Sequence, residues 1–180
     1  MKKLAVISGP AGVGKGTLVK LLTERNDDVA LSVSCTTREP REGELDGVSY
    51  FFLTKEQFEE KIGQNGFLEY DNHFGNYYGT PKDFVFKTLE TKNVILEIDV
   101  NGAMKVKKHF PDAVLIMILP PSIEELKKRL IGRKSETEAS LKKRLERVDY
   151  ELSFLPDYDE AVVNTDLEKA YEELVAILKK

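Results

Sequence analysis

The residues best placed to do chemistry in this sequence lie in the run Gly9-Pro10-Ala11-Gly12-Val13-Gly14-Lys15-Gly16-Thr17. The interval from Gly9 to Gly14-Lys15 fits G-x-x-x-x-G-K, a backbone cradle for a triphosphate. Glycines remove the Cβ atoms that would keep successive N–H groups away from anionic oxygens, and a following helix N-terminus adds donors of its own. Lys15 supplies a point charge. A glycine-rich turn without a ligand would explain neither the lysine nor so many glycines at a helix start, so all nine positions are candidate contacts for a nucleoside triphosphate.

One position departs from the pattern. The residue after Lys15 is Gly16, where a hydroxyl normally joins the Mg²⁺ shell, and the hydroxyl comes one place later at Thr17. The form Gly-Lys-Gly-Thr resembles the loop of adenylate kinases and related nucleotide kinases. Mg²⁺ is therefore expected to rest mainly on phosphate oxygens, water and an acidic residue elsewhere, because this ion accepts few protein ligands.

A kinase for small molecules needs a second phosphate site facing this loop, and a way to exclude water during transfer. Arg38 and Arg41 sit three apart in a Pro-containing turn, and guanidinium forks match phosphate oxygens in two-pronged geometry. Tyr50 and Tyr78 offer hydroxyls or a ring face to a base. Taken singly, each of these is an ordinary surface or packing residue; in a chain with a phosphate loop they point together to a ligand site. Glu97 and Asp99 put two carboxylates on one side of an otherwise apolar strand, at the end where α/β proteins bind ligands. Leu126 to Arg147 is highly charged and carries Arg129, Arg133, Arg144 and Arg147 on predicted helices joined near Gly132, a candidate lid. Arg129 and Arg147 read equally well as helix-surface charges.

These groups require a rigid frame. Leu4-Ala-Val-Ile7 leads into the glycine loop, and Val94–Val100, Val114–Leu119 and Glu160–Val163 read as apolar strands of a buried parallel sheet. Capping boxes at Ser122-x-x-Glu125, Ser135-x-x-Glu138 and Thr165-x-x-Glu168 predict helix starts. The alternation implies an α/β domain with helices on both faces of a parallel sheet. Residues 34–80 break the rhythm with Gly43, Gly47, the aromatic strand Tyr50-Phe51-Phe52 and Gly75-Asn-Tyr-Tyr-Gly79, and read as a small β-rich insert.

The composition is that of an ordinary soluble domain. Over 180 residues, 41% are apolar and 32% charged, which allows one substantial core. No apolar stretch approaches a membrane span, and Met1-Lys2-Lys3-Leu4 reads as a strand start rather than a signal peptide. A single cysteine, Cys35, excludes an internal disulfide, and His73 and His109 form no metal cluster; all three are expected to be packing or surface residues. A net charge of −4 argues against general nucleic-acid binding. A cytoplasmic location and a monomer or small homo-oligomer are expected.

From end to end the chain resembles a guanylate kinase of the nucleoside monophosphate kinase group. The resemblance rests on Gly9 to Thr17, Ser32-Val-Ser-Cys-Thr-Thr-Arg-Glu-Pro-Arg41-x-Gly-Glu, Gly75-Asn-Tyr-Tyr-Gly-Thr80, Leu96-Glu-Ile-Asp-Val-Asn-Gly102, the arginine-rich segment and Val162-Val-Asn-Thr-Asp166. It implies ATP- and Mg²⁺-dependent phosphorylation of GMP, and of dGMP, to the diphosphate in purine metabolism. It also implies a P-loop three-layer body with a core (1–33, 82–120, 156–180), a GMP-binding insert (34–81) and a helical lid (121–155).

By the same resemblance, Arg38, Arg41 and Tyr50 clamp the acceptor phosphate, and Tyr78 stacks on the guanine or joins that clamp. Ser34, Glu69 and Thr80 read the base. Guanine presents N1–H and its amine as adjacent donors for a carboxylate and O6 as an acceptor for a hydroxyl, so polar readout can discriminate by ~10⁴. Asp99 contacts the acceptor or, through water, Mg²⁺, for which Thr17 is the other candidate. Lys15, Arg133 and Arg144 are the implied catalytic cations. Asn164 is placed beside the adenine or the donor side, a turn asparagine being the alternative. Two rival readings are a non-catalytic guanylate-kinase-like module that binds phosphopeptides and a kinase for another monophosphate. Intact Lys15 and the lid arginines oppose the first; Glu69, Thr80 and the Arg38/Arg41 turn oppose the second.

Overall fold

The computed structural model describes residues 2–73, 75–126 and 138–180, with the side chains of residues 73 and 138–144 outside that description. In chain order the first elements are β1 (Leu4–Ser8), α1 (Lys15–Arg25), β2 (Val29–Leu31), β3 (Cys35–Thr36), β4 (Phe51–Phe52), α2 (Lys55–Gly63) and β5 (Phe67–His73). There follow β6 (Asn76–Pro81), α3 (Lys82–Leu89), β7 (Asn93–Glu97), α4 (Val100–His109), β8 (Val114–Leu119), α5 (Glu138–Leu152), β9 (Glu160–Val163) and α6 (Leu167–Lys179).

The larger sheet has the order β2-β7-β1-β8-β9 and is parallel throughout. Both of its faces are covered, which is why its strands read as continuous apolar runs. Side chains alternate across β1: Ala5 and Ile7 pack with Leu18 and Leu22 of α1 and Leu174 and Ile177 of α6. Leu4 and Val6 pack with Val85 of α3 and Ala103 and Val106 of α4 on the opposite face. After β1 the chain runs to β2 on one side of the sheet and later to β8 on the other. The carboxyl end of β1 is therefore a topological switch point, where open α/β sheets bind ligands.

The second sheet, β4-β3-β6-β5, lies in residues 35–81, where the sequence predicts a β-rich insert. Fully buried Phe58 of α2 stacks on Phe67 and Tyr77, at 4.3 and 5.1 Å between ring centroids. A bulge between Phe67 and Glu69 shifts the register so that Glu69 pairs with Thr80 and Asp71 with Tyr78. Cys35 is buried against Phe58 and Phe67, and burial pushes its thiol pKa up to about 11, the packing role expected of it. His109 is exposed, with its Nδ1 2.9 Å from the Lys105 carbonyl oxygen.

Several local boundaries differ from expectation. The strand predicted over Val94–Val100 stops at Glu97; Asp99 is instead the N-cap of α4, accepting the Gly102 N–H at 2.9 Å. A carboxylate at an N-cap satisfies an otherwise orphaned donor, which favours ending the strand there. The box at Thr165–Glu168 does not form. Asp166 caps α6 through the Lys169 N–H at 3.0 Å, and Glu168 is held by Arg25 through two hydrogen bonds of 2.7 and 2.9 Å. At Ser122 the hydroxyl does accept the Glu125 N–H, while the box at Ser135 lies outside the described residues. An additional capping box joins Thr54 and Gln57 at the start of α2. Tyr50 precedes β4 and makes only an isolated bridge with Asp46. No helix among the described residues is long and apolar enough to cross a membrane.

Candidate active site

The glycine loop joins β1 to α1 as the spacing predicts. Gly9 and Gly14 have φ of 144° and 98°, conformations that favour glycine, and both are tightly enclosed. A Cβ on Gly9 would overlap the carbonyl oxygen of Ile118, and one on Gly14 would lie 2.5 Å from Asn164 Nδ2. Asn164, just past β9, donates that amide to the buried carbonyl of Val13 at 2.8 Å. It thus braces the loop from below. Lys15 donates its ammonium to the carbonyls of Gly9 and Pro10, the latter at 3.2 Å. Burial lowers the Lys15 pKa; the carboxylates of Glu151 and Glu97 pull it back up, and Arg147 opposes them. Thr17 is exposed in the first turn of α1, and Glu97 Oε1 lies 3.7 Å from where a Cβ on Gly16 would stand.

Gly9, Ala11, Lys15 and Glu151 border a cavity of ≈ 540 Å³ over the loop. Ser34, Glu69, Asp71 and Tyr78 border a second cavity, of ≈ 360 Å³, against the smaller sheet. Tyr50, Glu97, Ile98, Asp99 and Arg147 line both and form the seam between them.

In the second cavity Thr80, fully buried, donates its hydroxyl to Glu69 Oε1 at 2.6 Å. Burial raises the Glu69 pKa above the ordinary carboxylate value, while the Thr80 hydrogen bond and Lys105 oppose that rise. The bulge in β5 explains the exposure of Glu69 to the cavity: Leu68 turns into the main core and Glu69 away from it. The single hydroxyl proton of Thr80 is committed to Glu69. Thr80 therefore orients the carboxylate in this structure and does not face the cavity as a spare donor.

Arg38 lies over the Tyr50 ring at 5.6 Å, and Tyr50 meets Tyr78 edge to face at 6.1 Å. Glu44 organises this group. Its Oε1 accepts Arg38 Nη2 at 2.9 Å, and its Oε2 accepts the Arg41 backbone N–H at 2.8 Å. The Glu44 hydrogen bond, with a contribution from Tyr78, raises the Arg38 pKa further, so the guanidinium is a fixed charge. Burial raises the Tyr50 pKa, with Tyr78 adding to it and Arg38 and Arg41 pulling it down. Arg41 itself is exposed.

Of the residues singled out from the sequence, Ser34, Tyr50, Glu69, Tyr78 and Asp99 meet at one cavity, with Thr80 behind Glu69. Arg133 and the side chain of Arg144 lie outside the described residues. Arg147, which the sequence leaves open between the candidate lid and a helix-surface charge, lies at the seam: Nη2 is 3.5 Å from Asp99 Oδ2 and Nε donates to Glu151 Oε1 at 3.1 Å. Glu151 and Asp71 also escape a sequence reading, and Glu44 enters it only as the last residue of a motif, with no role. Glu151 follows Arg147 by one helical turn, a spacing that occurs on any solvated helix; here its Oε2 is buried with no hydrogen-bond partner among the described residues.

The family model for guanylate kinase matches residues 1–180. A guanylate kinase of Clostridium perfringens (strain SM101 / Type A) is 55% identical over 176 residues, covering 97% of this chain and 82% of that protein. One from Prochlorococcus marinus (strain NATL2A) is 48% identical, covering 95% of this chain and 92% of the relative. The crystal structure of guanylate kinase from Anaplasma phagocytophilum superimposes with a TM-score of 0.76 at 30% identity, covering 99% of this chain and 85% of that one. A phosphate loop and a carboxylate-bearing second cavity joined by one seam thus occur in a chain matched along its whole length, and the chain belongs to the guanylate kinase family.

Proposed function

We propose that this chain transfers the γ-phosphoryl group of ATP to the phosphate of GMP, yielding ADP and GDP. The observation that carries this reading is Glu69, a half-buried carboxylate held by Thr80 at a cavity that shares its wall with the phosphate loop. A guanine base brings N1–H and an amine to such a carboxylate; adenine brings no such pair. The Arg38–Tyr50–Tyr78 group beside the smaller sheet supports a phosphate clamp, with Glu44 fixing the arginine. Transfer then needs the acceptor phosphate oxygen in line with the γ-phosphorus. The new P–O bond forms as the bond to the β-bridging oxygen breaks, and ADP leaves with that electron pair.

The residues present fit Mg²⁺ as the accompanying ion. The cavity over the loop must take a polyanion yet is bordered by Glu97, Asp99 and Glu151, and one Glu151 oxygen is buried with no partner among the described residues. Among the described residues no group of three or more His, Cys, Asp or Glu forms a metal cage, which suits an ion carried largely by phosphate and water. Both Asp99 oxygens face protein donors, whereas Glu97 lies over Gly16, so Glu97 and Thr17 are the side chains that would face the ion. When bound, Mg²⁺ neutralises charge on the phosphates. Lys15 leaves its loop carbonyls for phosphate oxygens, Arg133 and Arg144 add charge from the lid, and Asn164 keeps the cradle in shape. The module reading is disfavoured by the intact loop and by full-length matches to kinases.

The test is to follow both products from ATP, Mg²⁺ and GMP. Equimolar ADP and GDP, lost in Lys15→Ala, is the expected result; ADP without GDP would mean ATP hydrolysis and overturn the reading.

A further inference from the structure

Helix α5 brings a polar face to the start of α4. Tyr150 donates its hydroxyl to Asn101 Oδ1 at 2.7 Å, and Arg147, one turn earlier, reaches Asp99. Residues 147, 150 and 151 share one helical face, so the Tyr150 contact that seats the helix also aims Arg147 across the seam. Among the described residues, five line both cavities; Arg147 is the cation of that set, and two of the others are the carboxylates Glu97 and Asp99. A phosphoryl group crossing that seam carries negative charge past both acids, and a loose transition state depends on fixed positive charge more than on a base. The Arg147 side chain is 59% exposed, and contacts to Asp99 and Glu151 occupy only part of its five-donor fork.

We propose that Arg147 is a catalytic residue of the transfer, its guanidinium spanning the donor and acceptor phosphates as the γ-phosphoryl group passes between them. The inference rests on the function proposed above. Arg147 holds Asp99 and Glu151 in the free enzyme and turns its remaining N–H groups to phosphate oxygens in the ternary complex. It gains and loses no proton, and every bond made or broken is to phosphorus. Its position, facing both cavities, separates this role from that of Arg38, which serves the acceptor phosphate alone.

The test compares wild type, Arg147→Ala, Arg147→Gln and Arg147→Lys. Glutamine keeps a donor for Glu151 while removing the charge, so it carries the experiment if alanine fails to fold. The readouts are kcat with ATP and GMP, and calorimetric affinity for GMP alone and for adenosine and guanosine joined through five phosphates. Expected are a fall in kcat of about 10²-fold in the glutamine variant, a loss of analogue affinity of at least about tenfold, GMP affinity within ~3-fold, and partial recovery in Arg147→Lys. A kcat within ~3-fold of wild type, or equal losses for GMP and the analogue, would overturn the proposal. If wild type itself makes no GDP, the function reading fails, and the analogue arm still decides whether Arg147 spans the two cavities.

Discussion

Thr80 donates its buried hydroxyl to Glu69 Oε1 across 2.6 Å, and this bond decides what the second cavity can recognise. With Thr80 holding one oxygen, the carboxylate is fixed in the plane where it meets adjacent donors on a base. Glu69→Gln replaces half of that acceptor edge with an amide donor. The variant is expected to lose most of its kcat/KM with GMP while its residual activity with AMP changes little. Parallel initial rates with the two acceptors measure this, and an unchanged GMP/AMP ratio would remove Glu69 from base reading.

The same residue costs stability. Because burial raises its pKa, the folded state binds the Glu69 proton more tightly than the unfolded chain does. Its contribution is therefore favourable at low pH and is lost as pH rises from the ordinary carboxylate range through the folded pKa. Glu69→Gln is expected to melt higher than wild type at neutral pH, by roughly 2–4 °C for each kcal/mol recovered, with the gain shrinking as pH falls below that range. Melting curves from pH 4 to 8, on the order of six points at fixed ionic strength, would show it.

Glu44 ties Arg38 to the Arg41 backbone and is not itself among the residues lining either cavity. Its removal should free Arg38 without changing the charge that meets the phosphate. Glu44→Ala is expected to raise KM for GMP about tenfold, a change of ~1.4 kcal/mol, with kcat nearly unchanged. A matching fall in kcat would mean that the clamp also acts at the transition state.

Asn164 joins the end of β9 to the loop through the Val13 carbonyl. Asn164→Ala leaves that carbonyl buried without a partner, at a cost of ~1–3 kcal/mol. A lower melting temperature together with a raised KM for ATP, and an unaltered KM for GMP, is the expected pattern from steady-state kinetics.

At Gly16 a serine would place its Cβ at ordinary contact distance from Glu97 Oε1 and add a hydroxyl beside it. Gly16→Ser is expected to shift the Mg²⁺ titration of activity to lower concentration. An identical titration would show that Glu97 and this position do not face the ion.

The parts of the molecule that are legible in its residues are those where backbone geometry restricts residue type. Gly9 and Gly14 are enclosed so closely, at positive φ, that glycine is required, and the buried parallel strands leave near-continuous apolar runs. Cap positions are harder to read. Asp99 reads as a strand residue because alternation continues through it, and Asp166 takes the cap from Thr165 because the helix starts one residue later. Glu69 lies in none of the motifs and is reached through the family resemblance alone, because the bulge that aims it at the cavity is a register shift with no residue signature. Arg147 and Glu151 are hidden for a different reason: an Arg and a Glu one turn apart look like any solvated helical pair, and only the packing of α5 on α4 places them at the seam.

The central claim is that the carboxylate-bearing cavity accepts guanine. The most direct measurement is kcat/KM for GMP, dGMP, AMP, CMP and UMP in parallel, with ATP and Mg²⁺ and with Lys15→Ala as the control. The account predicts turnover confined to guanine acceptors, with a preference over AMP approaching ~10⁴, and none in the control. Comparable turnover with AMP or a pyrimidine acceptor would contradict it.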